Sequence, residues 1–263
     1  MRKILLITLL LCLGLTGRSQ QVETISERFH YCFLKQEKPS PEQIQKDNEE
    51  RQRDWQEELA QMKASLADGQ RVSDNVKIEV QTGVQEDDLI ISVAYETLVV
   101  ADAADDYGLG KYTIDNSNAC LLMCSFLKSK LENDLAEYLK EGSKVEVKIT
   151  GATDGTPIRS KIAYKGEYGE FTDKPITLNG TPFNMTVTQK TGVTTNGQLA
   201  FLRTQGVEDF LKTRVAPLKR TENTFQVFAV ENKEKGGGYR RVSVEMTIRG
   251  AFADVESFKI EKP

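Results

Sequence analysis

Apolar positions along the chain follow two rhythms, and the changes between them mark out the elements. Val145, Val147 and Ile149 alternate with Glu146, Lys148 and Thr150, the period of a strand with one buried face. The run stops at Gly151, and the turn formers of G-A-T-D-G-T-P follow, so Asp154 stands just past the end of a core strand. The same alternation predicts strands at 77–80 and 89–100, joined as a hairpin through T-G-V-Q-E-D-D. It also predicts a short strand at 111–114 and a hairpin from 224–231 and 239–248 across Lys235-Gly-Gly-Gly238. Arg240 and Arg241 open the last of these strands, and alternation requires one of them to point inward.

Spacings of three and four residues predict three helices. Over 42–67, Ile44, Trp55, Leu59, Met62 and Leu66 form a narrow seam in a segment dense in Gln, Glu, Lys and Arg, with Asn48 and Arg51 in the same stripe. A seam so thin suits a docked helix or a modest coiled coil. A second helix is predicted from about Cys120 to Glu141, with Leu121, Phe126, Leu131, Leu135 and Leu139 on its stripe. The third runs from Asn196, a good cap residue, to Thr213. Its broad apolar arc of Leu199, Leu202, Val207, Phe210 and Leu211 has Arg203 at the centre. A guanidinium among core positions is costly unless paired. Arg203 is therefore expected to meet a carboxylate, from Asp154 or from a ligand. Between Asp154 and Asn196 lies a β-rich insertion, with strand-like pieces at 162–168, 175–178 and 185–189 and the hairpin signal Asn179-Gly180.

Composition narrows the function. The 263-residue chain has a net charge of -4, so no basic surface argues for nucleic acid. Met1-Arg2-Lys3 followed by about a dozen apolar residues reads as a secretory signal and is too short for a membrane span. Cleavage is placed after Ser19, which makes the mature protein an exported, periplasmic one with outer-membrane association left open. Cys32, Cys120 and Cys124 remain after the leader goes. The last two share one helix face and read as small buried hydrophobes in preference to a metal or redox site. No metal or cofactor is expected. The chain has one His and none of H-E-x-x-H, G-x-S-x-G or a Cys with a plausible base, so no enzyme is expected either.

Three segments in order, G-A-T-D at 151–154, N-G-Q-L-A-F-L-R at 196–203 and Y-R-R-V-S-V at 239–244, resemble the OmpA C-terminal-like, peptidoglycan-associated domain. The helix L-E-N-D-L-A-E-Y-L-K-E-G at 131–142 also fits, and the likeness covers about 110–154 and 196–249. It implies an α+β fold, a βαβαββ two-layer sandwich, here with the insertion at 155–195. The chain then divides into a signal at 1–19, a helical extension at 20–73, the OmpA-like domain at 74–250 and a tail at 251–263. The resemblance implies that Asp154 and Arg203 hold the diaminopimelate of a peptidoglycan stem peptide, whose ammonium suits the acid and whose carboxylate suits the fork. Asp115 and Asn116 would line the pocket, and Leu199 would supply apolar wall. Helix 42–67 would serve as spacer, as a surface for an envelope protein, or for self-association. The departures are Ala152 for the usual His, Thr204 for Ala, Tyr239 for Asn, and the insertion between acid and arginine. The second expectation, from a different class, is a structural or protein-interaction module on the same fold that binds no peptidoglycan.

Overall fold

A computed structural model describes residues 39–67, 71, 72, 74, 76–97 and 107–252. The expected signal, Cys32, residues 98–100 of the second expected strand and the tail from 253 lie outside the described residues. Residues Ser40–Ala253 form one compact unit. Its elements are α1 (Pro41–Ala64), β1 (Val76–Gln85), β2 (Asp88–Thr97), α2 (Asn118–Ser129), β3 (Lys144–Thr153), β4 (Phe171–Leu178), β5 (Thr181–Val187), α3 (Asn196–Arg214), β6 (Glu222–Glu231) and β7 (Val242–Ile248). The fold is α+β: among the described residues, three helices and one mixed sheet in the order β1-β2-β7-β3-β6-β4-β5. β3 runs parallel to β6 and antiparallel to β7, while β2 is antiparallel to both β1 and β7.

All three helices cover one face of this sheet. Trp55 and Leu59 of α1, Phe126 and Leu127 of α2, and Val207 and Leu211 of α3 share one buried cluster with the inward residues of β1, β2, β3 and β7. A second cluster joins Leu199, Phe201 and Leu202 of α3 to Ile176, Met185 and Val187 of the insertion. The outward residues Lys77, Ser92, Lys148 and Glu245 are only half-buried or exposed, as one-sided packing of a two-layer architecture requires.

The insertion is a continuation of the sheet. β4 and β5 form a hairpin closed by Asn179-Gly180, and β4 joins β6 in parallel through Thr177↔Phe228 and Leu178↔Ala229. The remaining expected piece, 162–168, supplies only the bridge Ile162↔Val193.

Several expected boundaries move. The β1–β2 hairpin turns in two residues, Glu86 and Asp87, because T-G-V-Q stays paired in β1. Residues 111–114 form no strand; their alternating burial belongs to a loop entering a single 3-10 turn, Ile114–Asn116. The helix expected to reach Glu141 leaves the α form at Ser129 and widens into a π turn over Lys130–Asp134, where the amide of Leu135 reaches back to the Lys130 carbonyl at 2.9 Å. Leu131, Leu135 and Leu139 remain fully buried, so their apolar spacing was honest about burial and misleading about backbone. The widened turn brings Asp134 to Trp55 Nε1 at 2.8 Å and to Lys130 Nζ at 2.9 Å, while Lys130 also pairs with Glu58. These contacts fix α1 to α2.

α1 is part of the compact unit, so the expected boundary at 73/74 cuts through it. The apolar seam proposed as a partner surface is spent internally, with Trp55 and Leu59 buried against β1, β2 and α2. Ser40 caps this helix, accepting from the Gln43 amide. Among the described residues no helix is long and apolar enough to cross a membrane.

Candidate functional site

The G-A-T-D segment does two jobs that its residue types explain. Gly151 lets α3 approach β3, because a Cβ there would stand 2.4 Å from the Ala200 carbonyl oxygen and 2.7 Å from Thr204 Cγ2. Thr195 starts α3 with a capping box: its hydroxyl accepts from the Gln198 amide, and Gln198 Oε1 accepts from the Thr195 amide at 3.1 Å. Held this close, α3 delivers Arg203 to the end of β3, where Nη1 donates to the Ala152 carbonyl at 2.7 Å. Its Nε and Nη2 both donate to the Lys111 carbonyl, at 3.2 and 3.1 Å, and its guanidinium carbon lies 4.4 Å from the Tyr107 ring centroid. Arg203 is 1% exposed.

Asp154 follows two residues after Ala152 and is 4% exposed. Its carboxylate is forked by Arg240, Nε to Oδ1 at 3.0 Å and Nη2 to Oδ2 at 3.0 Å. The Thr156 hydroxyl donates to Oδ2 at 2.5 Å and the Gly236 amide does so at 3.1 Å. Burial alone would raise this carboxyl; the Arg240 fork, the Thr156 hydroxyl and the Gly236 amide outweigh it and hold it at about 2. The loop before β7 therefore wraps around Asp154. Gly155 allows it to come near, since a Cβ there would fall 2.1 Å from the Lys233 carbonyl oxygen.

The carboxylate assigned from sequence to a shared site with Arg203 is thus taken by Arg240, the inward member of the Arg240–Arg241 pair. Arg241 is exposed. Alternation had required that one of the two point in, but the partner it would meet was set by how the β6–β7 loop folds back. Asp115 and Asn116 lie exposed on the 3-10 turn, where Asn116 Oδ1 accepts from the Thr113 hydroxyl at 2.7 Å. Leu199 is buried in the insertion's core with Ile176, Met185 and Val187, and so forms interior packing instead of a pocket wall.

The insertion also fills the space between that turn and α3, which sequence reasoning missed. The Tyr168 hydroxyl lies 2.8 Å from where a Gly206 Cβ would stand, with Ile114 also in the contact. Tyr112 donates to Glu167 at 3.0 Å, and its ring centroid is 6.0 Å from that of Tyr164. Tyr164 and Tyr168 of the insertion, Tyr112 before it and Gly206 of α3 thus close this space. Cys120 and Cys124 are buried and free, and the Cys120 side chain together with burial pushes the Cys124 thiol up, as expected of inert packing cysteines. Among the described residues no group of His, Cys, Asp or Glu is arranged to hold a metal ion.

A cleft of about 280 Å³ opens on the sheet face opposite the three helices, with Lys77, Glu79, Thr150, Asn232, Arg241 and Ser243 among its lining residues. None of the five residues singled out from sequence lines it. Neither a scan against protein-family models nor a search of curated proteins finds a match for this chain.

Proposed function

We propose that this chain is an exported envelope protein on an OmpA-like fold, acting as a non-catalytic structural or protein-interaction module. In this reading, Asp154 and Arg203 hold the chain to itself instead of holding a stem peptide. The OmpA-like part of the reading is supported by the four-strand order β2-β7-β3-β6, with β3 parallel to β6 and the helices on one face. Export to the periplasm is supported by the basic and apolar leader.

One observation carries the functional choice: the Asp154 carboxylate is buried, and both of its oxygens are engaged by Arg240, Thr156 and Gly236. A ligand ammonium would have to replace a bidentate guanidinium fork, the stronger of the two partners. The test is co-sedimentation of the mature protein with purified sacculi, alongside a diaminopimelate titration followed by calorimetry. The expected result is no retention above a control protein and a flat titration. Retention that is lost in both Asp154→Asn and Arg203→Lys, with the fold intact by circular dichroism, overturns the proposal.

The same experiment serves the second reading, non-covalent binding of peptidoglycan stem peptides as an envelope anchor. What favours it is that Arg203 reaches the Ala152 carbonyl, so both charged groups sit at the same end of β3. That reading needs the Tyr168 and Arg240 contacts to open before the diaminopimelate can enter.

A further inference from the structure

β1 is a ten-residue strand at the outer edge of the sheet. An outer strand presents a row of main-chain groups that can template pairing with another chain. Here that row is met by side chains of α1. Lys63 Nζ donates to the Val76 carbonyl at 2.8 Å, and Asn48 Nδ2 donates to the Thr82 carbonyl at 3.0 Å. Between them, Gln56 Nε2 donates to the Ile78 carbonyl while its Oε1 accepts from the Val80 amide, both at 3.3 Å. One glutamine amide thus supplies a donor and an acceptor to residues two apart, as a neighbouring strand would. All four groups belong to even-numbered residues, the set turned away from β2. Besides this polar comb the helix is held by Trp55 and Leu59, its most deeply buried apolar residues, and by the contacts of Trp55 with Asp134 and of Glu58 with Lys130.

We propose that α1 is an edge guard, and that β1 pairs antiparallel with β1 of a second copy of this chain when the guard lifts. The edge is compatible with a copy of itself. Val76, Ile78 and Val80 place apolar residues on the core face, and on the other face Lys77 and Glu79 pair with each other within the strand, a pair that a second copy would have to exchange. Alignment centred on Ile78 sets Lys77 of each copy opposite Glu79 of the other, the favoured cross-strand combination. Arg71, whose carbonyl accepts from Asn118 Nδ2, and Val72, buried in the main cluster, anchor the chain before β1, so the helix would lift on residues 65–70, about 20 Å when extended.

The experiment compares the mature protein with Asn48→Ala/Gln56→Ala by sedimentation velocity from low to high micromolar concentration, with hydrogen exchange read at the Ile78 and Val80 amides. The parent should stay monomeric. The double variant should dimerise, with both amides gaining protection as concentration rises. Adding Lys77→Glu should weaken that dimer roughly tenfold, and adding Glu79→Lys as well should restore it. A double variant that stays monomeric throughout, or a dimer whose Ile78 and Val80 amides exchange as fast as in the monomer, overturns the proposal. Gln56→Leu keeps the side chain's bulk and the helix's stability, and it is read by the same criteria if the double variant does not fold.

Discussion

Two buried arginines flank the end of β3, and they are held by different chemistry. Arg240 comes from the loop just before β7 and is forked by a side-chain carboxylate, so its bond joins a loop to a strand end and depends on a group that can take a proton. Arg203 comes from the middle of α3, and its donors run to the main-chain carbonyls of Lys111 and Ala152 under the Tyr107 ring. Those carbonyls do not titrate, and they belong to backbone that the sheet and the 107–116 segment already fix. The first arrangement is a clamp that can be released by acid; the second is a pin that only a change of side chain can remove. A guanidinium is suited to both, because its planar array of donors can fork a carboxylate or bridge two separate carbonyls.

Removing the pin should have the largest effect. Arg203→Ala leaves the Lys111 and Ala152 carbonyls without these donors in a site that is 1% exposed, and it opens a void beneath Tyr107. The expected loss is about 4 kcal/mol in chemical denaturation, the range for breaking a buried charged network. Arg203→Lys should recover less than half of it, since one ammonium cannot replace three directed N–H donors. A loss below about 1 kcal/mol for the alanine variant would mean that the carbonyls find other partners.

Removing the clamp should cost less overall and act locally. Asp154→Ala strands a buried Arg240 and frees the Gly236 amide, with an expected loss of about 3 kcal/mol. The double variant with Arg240→Ala should cost clearly less than the sum of the two singles, because most of each single effect is the charge left behind. Hydrogen exchange should then separate the two arginines. Loss of the clamp should unprotect the 232–240 loop, while loss of the pin should lower protection in α3 and β3 together.

Acid separates them more finely. The Asp154 carboxyl is held at about 2, below its unfolded value of roughly 3.9. Its contribution is therefore complete above the unfolded value and is lost as pH falls from about 4 through about 2. The loss should be about 2.5 kcal/mol. Arg203→Lys should keep that acid-dependent component. Asp154→Asn should lack it, and parallel acid profiles for Asp154→Asn and the parent would remove Asp154 as its source.

Much of this fold could be read from local pattern. Asn179-Gly180 located the insertion's hairpin because a two-residue turn needs little beyond its own sequence, and Val145, Val147 and Ile149 located β3 because burial has period two there. The limits came where backbone and burial part company. Leu131, Leu135 and Leu139 keep a helical spacing through a segment that is π turn and then irregular, because contacts of Lys130 and Asp134 with α1 reshape the chain after Ser129. The site was legible in its members and not in its pairing. Asp154, Arg203 and one inward arginine of the Arg240–Arg241 pair were each marked by local rules. That Asp154 takes Arg240 depends on the 232–240 loop closing over Gly155, an event encoded by small residues at separate places in the chain. The helix capping β1 is hidden for a similar reason: Asn48 stands in the same stripe as the apolar seam of 42–67, although its polarity serves the strand edge.

The smallest predicted change sharpens the comparison most cleanly. Thr156 touches the clamp and not the pin, donating its hydroxyl to Asp154 Oδ2 at 2.5 Å. Thr156→Val keeps the shape and removes that one donor, leaving the Arg240 fork and the Gly236 amide in place. The expected cost is about 1.5 kcal/mol at neutral pH, the low end of the range for a hydrogen bond to a charged group. Because the lost bond favours the ionised carboxyl, the folded-state value should move up toward the unfolded one, and the acid transition should begin at higher pH. Stability at pH values below about 2 should match the parent, since the carboxyl is then protonated in both. An equal loss at every pH would show that Thr156 acts by packing alone, and that the clamp draws its depressed pKa from Arg240 and the loop amide.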